Sequence, residues 1–476
     1  IGPRQGHGRR RPRRRTRPQA PGSQVARPAK TTLGKTQYRA DQKARRRIKL
    51  TRRGLMVSNK PRDTYKVFLD AAELSEMQQV GTLYRQTART DLPAAFAYAQ
   101  SWLDGRNAFM LDPRLELWAH EQYPPAKSVA FGVFMDSAPD RWGRVLMERR
   151  EAATADREDR PMRNLQELDF LLGVHDLTRV GALRFQDVED RFLDNSADAA
   201  PPVTDLATLA YISLRIEEAG VEKLPEYEQW LAMLIAPGTS LGGARPKANF
   251  TSLGNDLWIA KFPAKDDRYD IGAWEYLTHR LASKAGIWVP QSELRYVGAH
   301  GVRYGTFCVE RFDRRQGSRR MYTSAMTLLE RQDGESDASY LDIAEYLAGN
   351  GAQGHIDEDL AQLFRRIVFN VLVGNRDDHL RNHGFIREAS GWRLSPAFDM
   401  NPNPGKREHA LTLDAMSALP DLETVIGTAE FYRLDDKQAR RIVVDVRHAV
   451  NTWREEAAAL NLPRPEIQRM ESVFQV

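Results

Sequence analysis

Apolar residues recur with one clear period along 357–373. Leu360, Leu363, Phe364, Ile367, Val368, Val371 and Leu372 stand at i, i+3, i+4, i+7, i+8, i+11 and i+12, the spacing of one buried helical face. Gly374 follows as a candidate C-terminal cap. A second helix is predicted over 271–285, with Trp274, Leu277 and Leu281 on one face, and a third starts behind Asp140, a capping residue ahead of Trp142 and Leu146. Short apolar runs, "YKVFLD", "VAFGVFM", "DLWIAKF" and "VRYGTFCVERF", predict strands. In "FLLGVHDLTRVGALRF" a helix end passes into a strand, with Gly173 and Gly181 as punctuation. Residues 193–204, "LDNSADAAPPVT", have the composition of a linker, and no fixed-period repeat is present. The pattern predicts an α+β chain in two lobes: a mixed α/β N-terminal subdomain over 66–192, then a strand-bearing region over 205–320 that leads into a mainly α-helical lobe over 321–460.

Composition sharpens this picture at one end. The chain of 476 residues is 41% hydrophobic and 28% charged, ordinary values for a soluble globular protein. No apolar run approaches 18 residues, so no transmembrane helix is expected. The single cysteine, Cys308, leaves no internal disulfide, which fits a reducing cytoplasm. Residues 1–53 hold 19 Lys/Arg against Asp41 alone, a net +18, so the other 423 residues carry −12 of the overall +6. A run such as "RRRPRRRTRP" cannot bury apolar area. Residues 1–55 are expected to be a basic disordered tail or a non-native extension, because the first methionine is Met56. A phosphate-neutralising nucleic-acid arm is the functional alternative.

The candidate chemistry begins where the clearest helix stops. "LVGNRDDHLRNHGFI" crowds Asn375, Asp377, Asp378, His379, Asn382 and His383 behind an apolar helix. Carboxylates are disfavoured at a helix C-terminus, so Asp377 and Asp378 call for a reason beyond packing, although any lone Asp is commonly a turn residue. Asp377 and Asn382 are five apart, and Asp399 follows the strand-like "GWRLSPAFDM". That order is the one protein kinases use: the loop Asp accepts the substrate hydroxyl proton, and the Asn and later Asp hold magnesium on the ATP phosphates. Hard carboxylate and amide oxygens suit Mg2+. His379 and His383 have helical i, i+4 spacing, but no third ligand cluster points to zinc.

A phosphoryl-transfer site also needs positive charge. "SLGGARPK" supplies Gly242 and Gly243, where backbone N–H groups can approach an anion, and ends in Lys247. Two glycines alone also make a plain turn. Lys261 sits in the apolar run "LWIAKFP"; it either snorkels at the strand end or needs a buried partner. Glu275 on the next helix is placed to be that partner. Glycine turn, strand lysine, helix glutamate, apolar connector, Asp-x4-Asn and strand aspartate thus occur in kinase order.

These segments, with "TSLGGARPKANF", "IAKFP", "EYLTHRLASKAGIWVP", "VERFDR", "NRDDHLRNHGFI" and "SPAFDMNP", resemble the HipA family, serine/threonine kinase toxins of bacterial type II toxin–antitoxin modules. The resemblance spans about 66–450 and includes "DSAPDRWGRVLMERRE" in the N-terminal lobe. It implies a HipA-like bilobal kinase fold, with ATP and Mg2+ as cofactors. Asp377 resembles the catalytic base, and Asn382 and Asp399 the magnesium ligands. Lys261 resembles the ATP lysine, and Gly242 to Lys247 the phosphate-cradling loop. Glu310 to Phe312, with Glu310 and Phe312 as ATP contacts, resemble the connector that receives adenine. His379 resembles a further nucleotide contact, and Asn382 also an ATP-binding residue. Ser240 resembles the serine that family members autophosphorylate, with Thr239 beside it; a dianion there would repel the ATP phosphates. The implied partners are a helix-turn-helix antitoxin (HipB-like), DNA only through that antitoxin, and a protein substrate such as an aminoacyl-tRNA synthetase; no membrane is implied. Asp378 departs from relatives that carry Gly there, and residues 1–55 have no counterpart. Two other readings remain: a catalytically weak, antitoxin-bound corepressor module on operator DNA, and a small-molecule kinase with the same parts.

Overall fold

Alternation sets the first layer. In β1 (Arg62–Leu69), Val67 and Leu69 point into the core, opposite Phe185 and Leu183 of β4 (Leu183–Gln186). With β2 (Gln78–Gln86), β3 (Ala95–Tyr98) and β5 (Phe192–Leu193) they form an antiparallel sheet of order β3-β2-β1-β4-β5. The computed structural model describes residues 62–475 apart from 87–91, 196–205, 236–244, 253, 255, 299–303, 333 and 336. The basic head, most of the expected linker, and Thr239, Ser240, Gly242 and Gly243 lie outside the described residues.

"VAFGVFM" departs from its expected strand. Its second half, Gly132–Met135, is one helical turn with Val133 and Phe134 buried. A short apolar run does not by itself distinguish a strand from a buried helix. Close packing explains the glycine, since a Cβ on Gly132 would stand 2.5 Å from Thr327 Oγ1. Helix α1 (Arg141–Arg157) starts as expected, with Asp140 accepting from the Gly143 N–H at 2.9 Å. Its Trp142 and Leu146 share a core with α2 (Leu206–Arg215), α3 (Tyr227–Ile235) and the next sheet.

That second sheet is antiparallel, order β6-β7-β9-β8, from β6 (Lys247–Thr251), β7 (Leu257–Lys261), β8 (Ser292–Arg295) and β9 (Thr306–Glu310). Helix α4 (Ile271–Lys284) buries Trp274, Leu277 and Leu281 as its period predicts, and also Glu275 and His279. The stretch after β9 is tied to the turn that precedes β4. Arg311 Nη1 donates to Thr178 O at 2.6 Å, and Asp313 accepts from Arg311 Nε and the Gly181 N–H, each at 2.8 Å. All these groups are buried, so the tie is a rigid one.

The C-terminal lobe is built on α5 (Tyr340–Asn350), α6 (Ile356–Val373) and α7 (Asp436–Asn451). Every residue of the predicted apolar face of α6 is buried. Gly374 ends the helix at φ +66, and a Cβ there would stand 2.4 Å from Val473 Cγ1, so both conformation and space require glycine. The lobe also carries an antiparallel sheet of β10 (Tyr322–Ser324), β11 (Gly384–Glu388) and β12 (Gly391–Leu394). Only β12 was anticipated as strand-like. β10 is three residues long, too short to alternate visibly, and its pairing with β11 is set across more than sixty residues, Tyr322 opposite Ile386. The architecture is α+β, as expected.

Candidate active site

Two strands, one helix and one loop converge on Lys261. It closes β7, where the chain leaves an apolar strand, and it is only 8% exposed. Its ammonium bonds Glu275 of α4 and stands 2.6 Å from Asp399 Oδ1. The expected Glu275 partner is therefore present, and snorkelling is not: the lysine is paired, not solvated. Burial pushes its pKa down, but Asp399 and Glu275 outweigh burial and hold the ammonium above the ordinary lysine range. Burial alone would raise the Asp399 carboxyl; Lys261 and Lys247 instead hold it down at about 2. Asp399 adopts φ +59, a left-handed conformation that costs a non-glycine residue energy and is concentrated at functional sites. The backbone around it is pinned where Ala397 N–H donates to Trp288 O at 2.8 Å and Asn403 N–H to Gly374 O at 2.9 Å.

Beside this cluster runs an apolar slot. Ile259, Val309, Phe312, Phe398 and Met400 wall it, with Glu310 and His279 among its polar lining. Phe312 and Phe398 stack at 5.3 Å between centroids, 28° apart. Glu310 and Phe312, both sequence candidates, thus line the same slot as Lys261, Glu275 and Asp399. His279 donates to or accepts from Ser292 Oγ at 2.9 Å, and burial lowers its pKa to about 4, so the imidazole is neutral.

The loop 375–383 is ordered by side chains buried on α5 and α6. Asp378, 4% exposed, accepts from Tyr340 Oη and Asn370 Nδ2 at 2.7 Å each and lies 2.8 Å from His383 Nε2. Burial would raise its pKa, yet His383 and the Tyr340 hydroxyl hold it below the usual carboxylate range. Asp378 and His383, for which sequence gave no role, are thus one buried network beneath the loop. The expected helical spacing of His379 and His383 is not realised: Leu380–Asn382 is a single 3-10 turn, and His383 turns inward. Among the described residues no group of three or more His, Cys, Asp or Glu side chains gathers as a metal site.

Asp377 differs from its neighbour. Its side chain is 56% exposed and pairs with Lys406, while its backbone N–H donates to Asn403 Oδ1 at 3.0 Å. Asn382 Nδ2 donates to Asp377 O at 3.2 Å, closing the loop between the two spaced candidates. His379 immediately precedes the 3-10 turn Leu380–Asn382, on the loop between Asp377 and Asn382. Lys247 begins β6 directly opposite Lys261 and bonds Asp140 at 2.5 Å. Gly242, Gly243 and Ser240 lie outside the described residues.

Sequence reading found the Asp140 cap but missed its pairing with Lys247, and it missed Asn403, Lys406, Phe398 and the Tyr340–Asn370 pair. "NPNPGKR" reads as a plain turn, and Tyr340 and Asn370 sit within regular helices, so only the fold brings them to the loop.

Comparison with known proteins fits this geometry. Residues 239–453 match the model of the HipA-like C-terminal domain. A Haemophilus influenzae protein described as a candidate kinase is 28% identical over 183 residues, 34% of this chain and 52% of that protein. The serine/threonine-protein kinase toxin HipA of Shewanella oneidensis is 27% identical over 195 residues, 34% of this chain and 43% of that one. The matched region therefore spans about half the length of these relatives. Among solved structures, Shewanella oneidensis HipA, in a complex with HipB and operator DNA, superposes with a TM-score of 0.59 at 17% identity, covering 86% of this chain and 95% of that one; at that identity it speaks for the fold. Residues 239–453 thus match a HipA-like C-terminal domain, and the fold of the chain is that of the Shewanella HipA structure.

Proposed function

We propose that this chain is an ATP- and Mg2+-dependent serine/threonine protein kinase, the toxin of a bacterial type II toxin–antitoxin module, acting in the cytoplasm. The observation that carries the reading is the buried Lys261–Glu275–Asp399 cluster beside an apolar slot. A lysine held by two carboxylates in the lining of an apolar slot suits a nucleotide whose base enters the slot and whose phosphates meet the lysine. The available donors fit the metal: Asp399 offers a carboxylate and Asn382 an amide oxygen, hard ligands of the kind Mg2+ takes. When bound, the ion would neutralise phosphate charge. The protein's own residues do the rest. Lys261 orients the phosphates, and the Phe312–Phe398 stack and Glu310 orient the base. Asp377 accepts the proton of the attacking hydroxyl, with its backbone fixed by Asn382 and Asn403. Lys406, now on Asp377, is a further cation beside the proposed base.

Autophosphorylation is assigned to Ser240, and the partner to a helix-turn-helix antitoxin of the HipB kind. The Shewanella complex of HipA with HipB and operator DNA supports that partner. The acidic body outside residues 1–53 favours DNA contact through such an antitoxin rather than directly. An aminoacyl-tRNA synthetase is the substrate class that the family resemblance supports.

The test is intact-mass spectrometry after incubation with ATP and Mg2+, on dephosphorylated parent and Asp377→Ala. Gain of one phosphate on Ser240 in the parent only is expected. No gain, and no transfer to any added candidate substrate, overturns the kinase reading in favour of an antitoxin-bound corepressor.

A further inference from the structure

Asp140 is buried more deeply than a helix cap needs to be. One carboxylate oxygen caps α1 through the Gly143 N–H, and the other, Oδ2, stands 2.5 Å from Lys247 Nζ, 107 positions along the chain. The two side chains are 6% and 2% exposed. Asn, Ser or Thr would cap the helix as well without burying a charge. Burial in fact raises the Asp140 carboxyl to about 6, with Lys247 offsetting only part of the rise, so the position is a costly one for an aspartate.

Lys247 explains the choice. It is directly opposite Lys261 across the β6–β7 pair, which puts both ammonium groups on one face of the sheet. Like charges directly opposite destabilise a strand pair, and nothing in β-structure calls for them. Here each lysine has its own acid: Glu275 and Asp399 on Lys261, Asp140 on Lys247. These five groups are joined by the ion pairs of the two lysines that face each other across the β6–β7 pair. Four of them lie within 247–399; the fifth comes from the N-terminal lobe.

We propose that Asp140 is a positioning residue of the phosphoryl-transfer site, through which α1 holds the Lys247 ammonium beside Lys261 to receive the ATP polyphosphate. The N-terminal lobe then supplies part of the anion-binding charge and is not a separate attachment to the kinase. The inference rests on the kinase reading above.

The experiment compares ATP and adenosine binding by calorimetry, and ATP KM and kcat, in the parent, Asp140→Asn, Lys247→Gln and the double variant. Asn keeps the α1 cap and removes only the charge. In Asp140→Asn the dissociation constant and KM for ATP rise about tenfold, adenosine binding stays at the parent value, and kcat changes little. The double variant binds ATP no more weakly than Lys247→Gln alone. Should Asp140→Asn fail to fold, the double variant, a neutral amide pair of similar size, is compared with Lys247→Gln directly. ATP binding in Asp140→Asn equal to the parent's, equal loss for ATP and adenosine, or additive losses in the double variant would each overturn the proposal. A parent that binds neither ligand removes the kinase reading and this inference together; a parent that binds both, with Asp140→Asn indistinguishable from it, removes this inference alone.

Discussion

Replacing Lys261 with methionine tests the central cluster without assuming any activity. Methionine fills similar volume but leaves two carboxylates facing each other. Asp399 keeps 26% of its side chain exposed, so water can solvate part of its charge; Glu275 keeps 4% and cannot be solvated in that way. The variant therefore escapes by protonating Glu275, whose carboxyl burial already pushes above 4.5. Taking up that proton costs ~1.4 kcal/mol per pH unit above the ordinary glutamate value. At pH 7.5 the loss of stability is then about 4 kcal/mol, in line with breaking a buried ion pair from one side. At pH 5 it falls below about 1 kcal/mol, because a carboxyl with a raised pKa loses its penalty as pH falls through that value. Urea unfolding of parent and Lys261→Met at both pH values measures this, and Lys261→Met/Glu275→Gln should recover most of the loss at pH 7.5. A loss under about 1 kcal/mol at pH 7.5, or one that does not change with pH, would refute the reasoning.

Three further outcomes are expected. Asp377→Ala, at a side chain more than half exposed, should unfold within about 0.5 kcal/mol of the parent yet lose phosphoryl transfer by ~100-fold or more, read by thermal melting and ATP turnover. Asp378→Asn should do the reverse at first: it removes the charge that holds Tyr340, Asn370 and His383 and replaces one of the two carboxylate oxygens with an NH2 donor, costs ~2 kcal/mol in the melt, and lowers transfer through a loosened loop, although Asp377 is intact. His409, whose pKa burial lowers to about 4 from 6.5, contributes stability that is present above pH 6.5 and is lost as pH falls toward 4, about 3 kcal/mol in all; His409→Gln should flatten that limb of the stability–pH curve, and an unchanged limb would show the ring to be solvated.

The legible and illegible parts of the site divide by how far apart their residues stand in the chain. The α6 face and its Gly374 stop are properties of a local window, and so is a lysine ending an apolar strand with a glutamate 14 residues later on a helix whose register is readable. Asp377, Asn382 and Asp399 stood out because they follow the order of residue types that protein kinases use. Lys406 on Asp377 and Asn403 beneath it lie in a Pro- and Gly-containing turn that no period constrains, so their direction is known only once β11, β12 and the return past Gly374 are in place. The short helical turn at Gly132–Met135 failed for the complementary reason: its apolar run serves a strand or a buried helix equally, and the contact with Thr327, almost 200 residues away, decides. Asp140 combines both cases. Its cap is local and was readable; its pairing with Lys247 spans 107 residues and gives no sign in either segment. A residue whose local role is already sufficient conceals a second one, and the excess of its burial and charge over what a cap requires is the physical trace that reveals it.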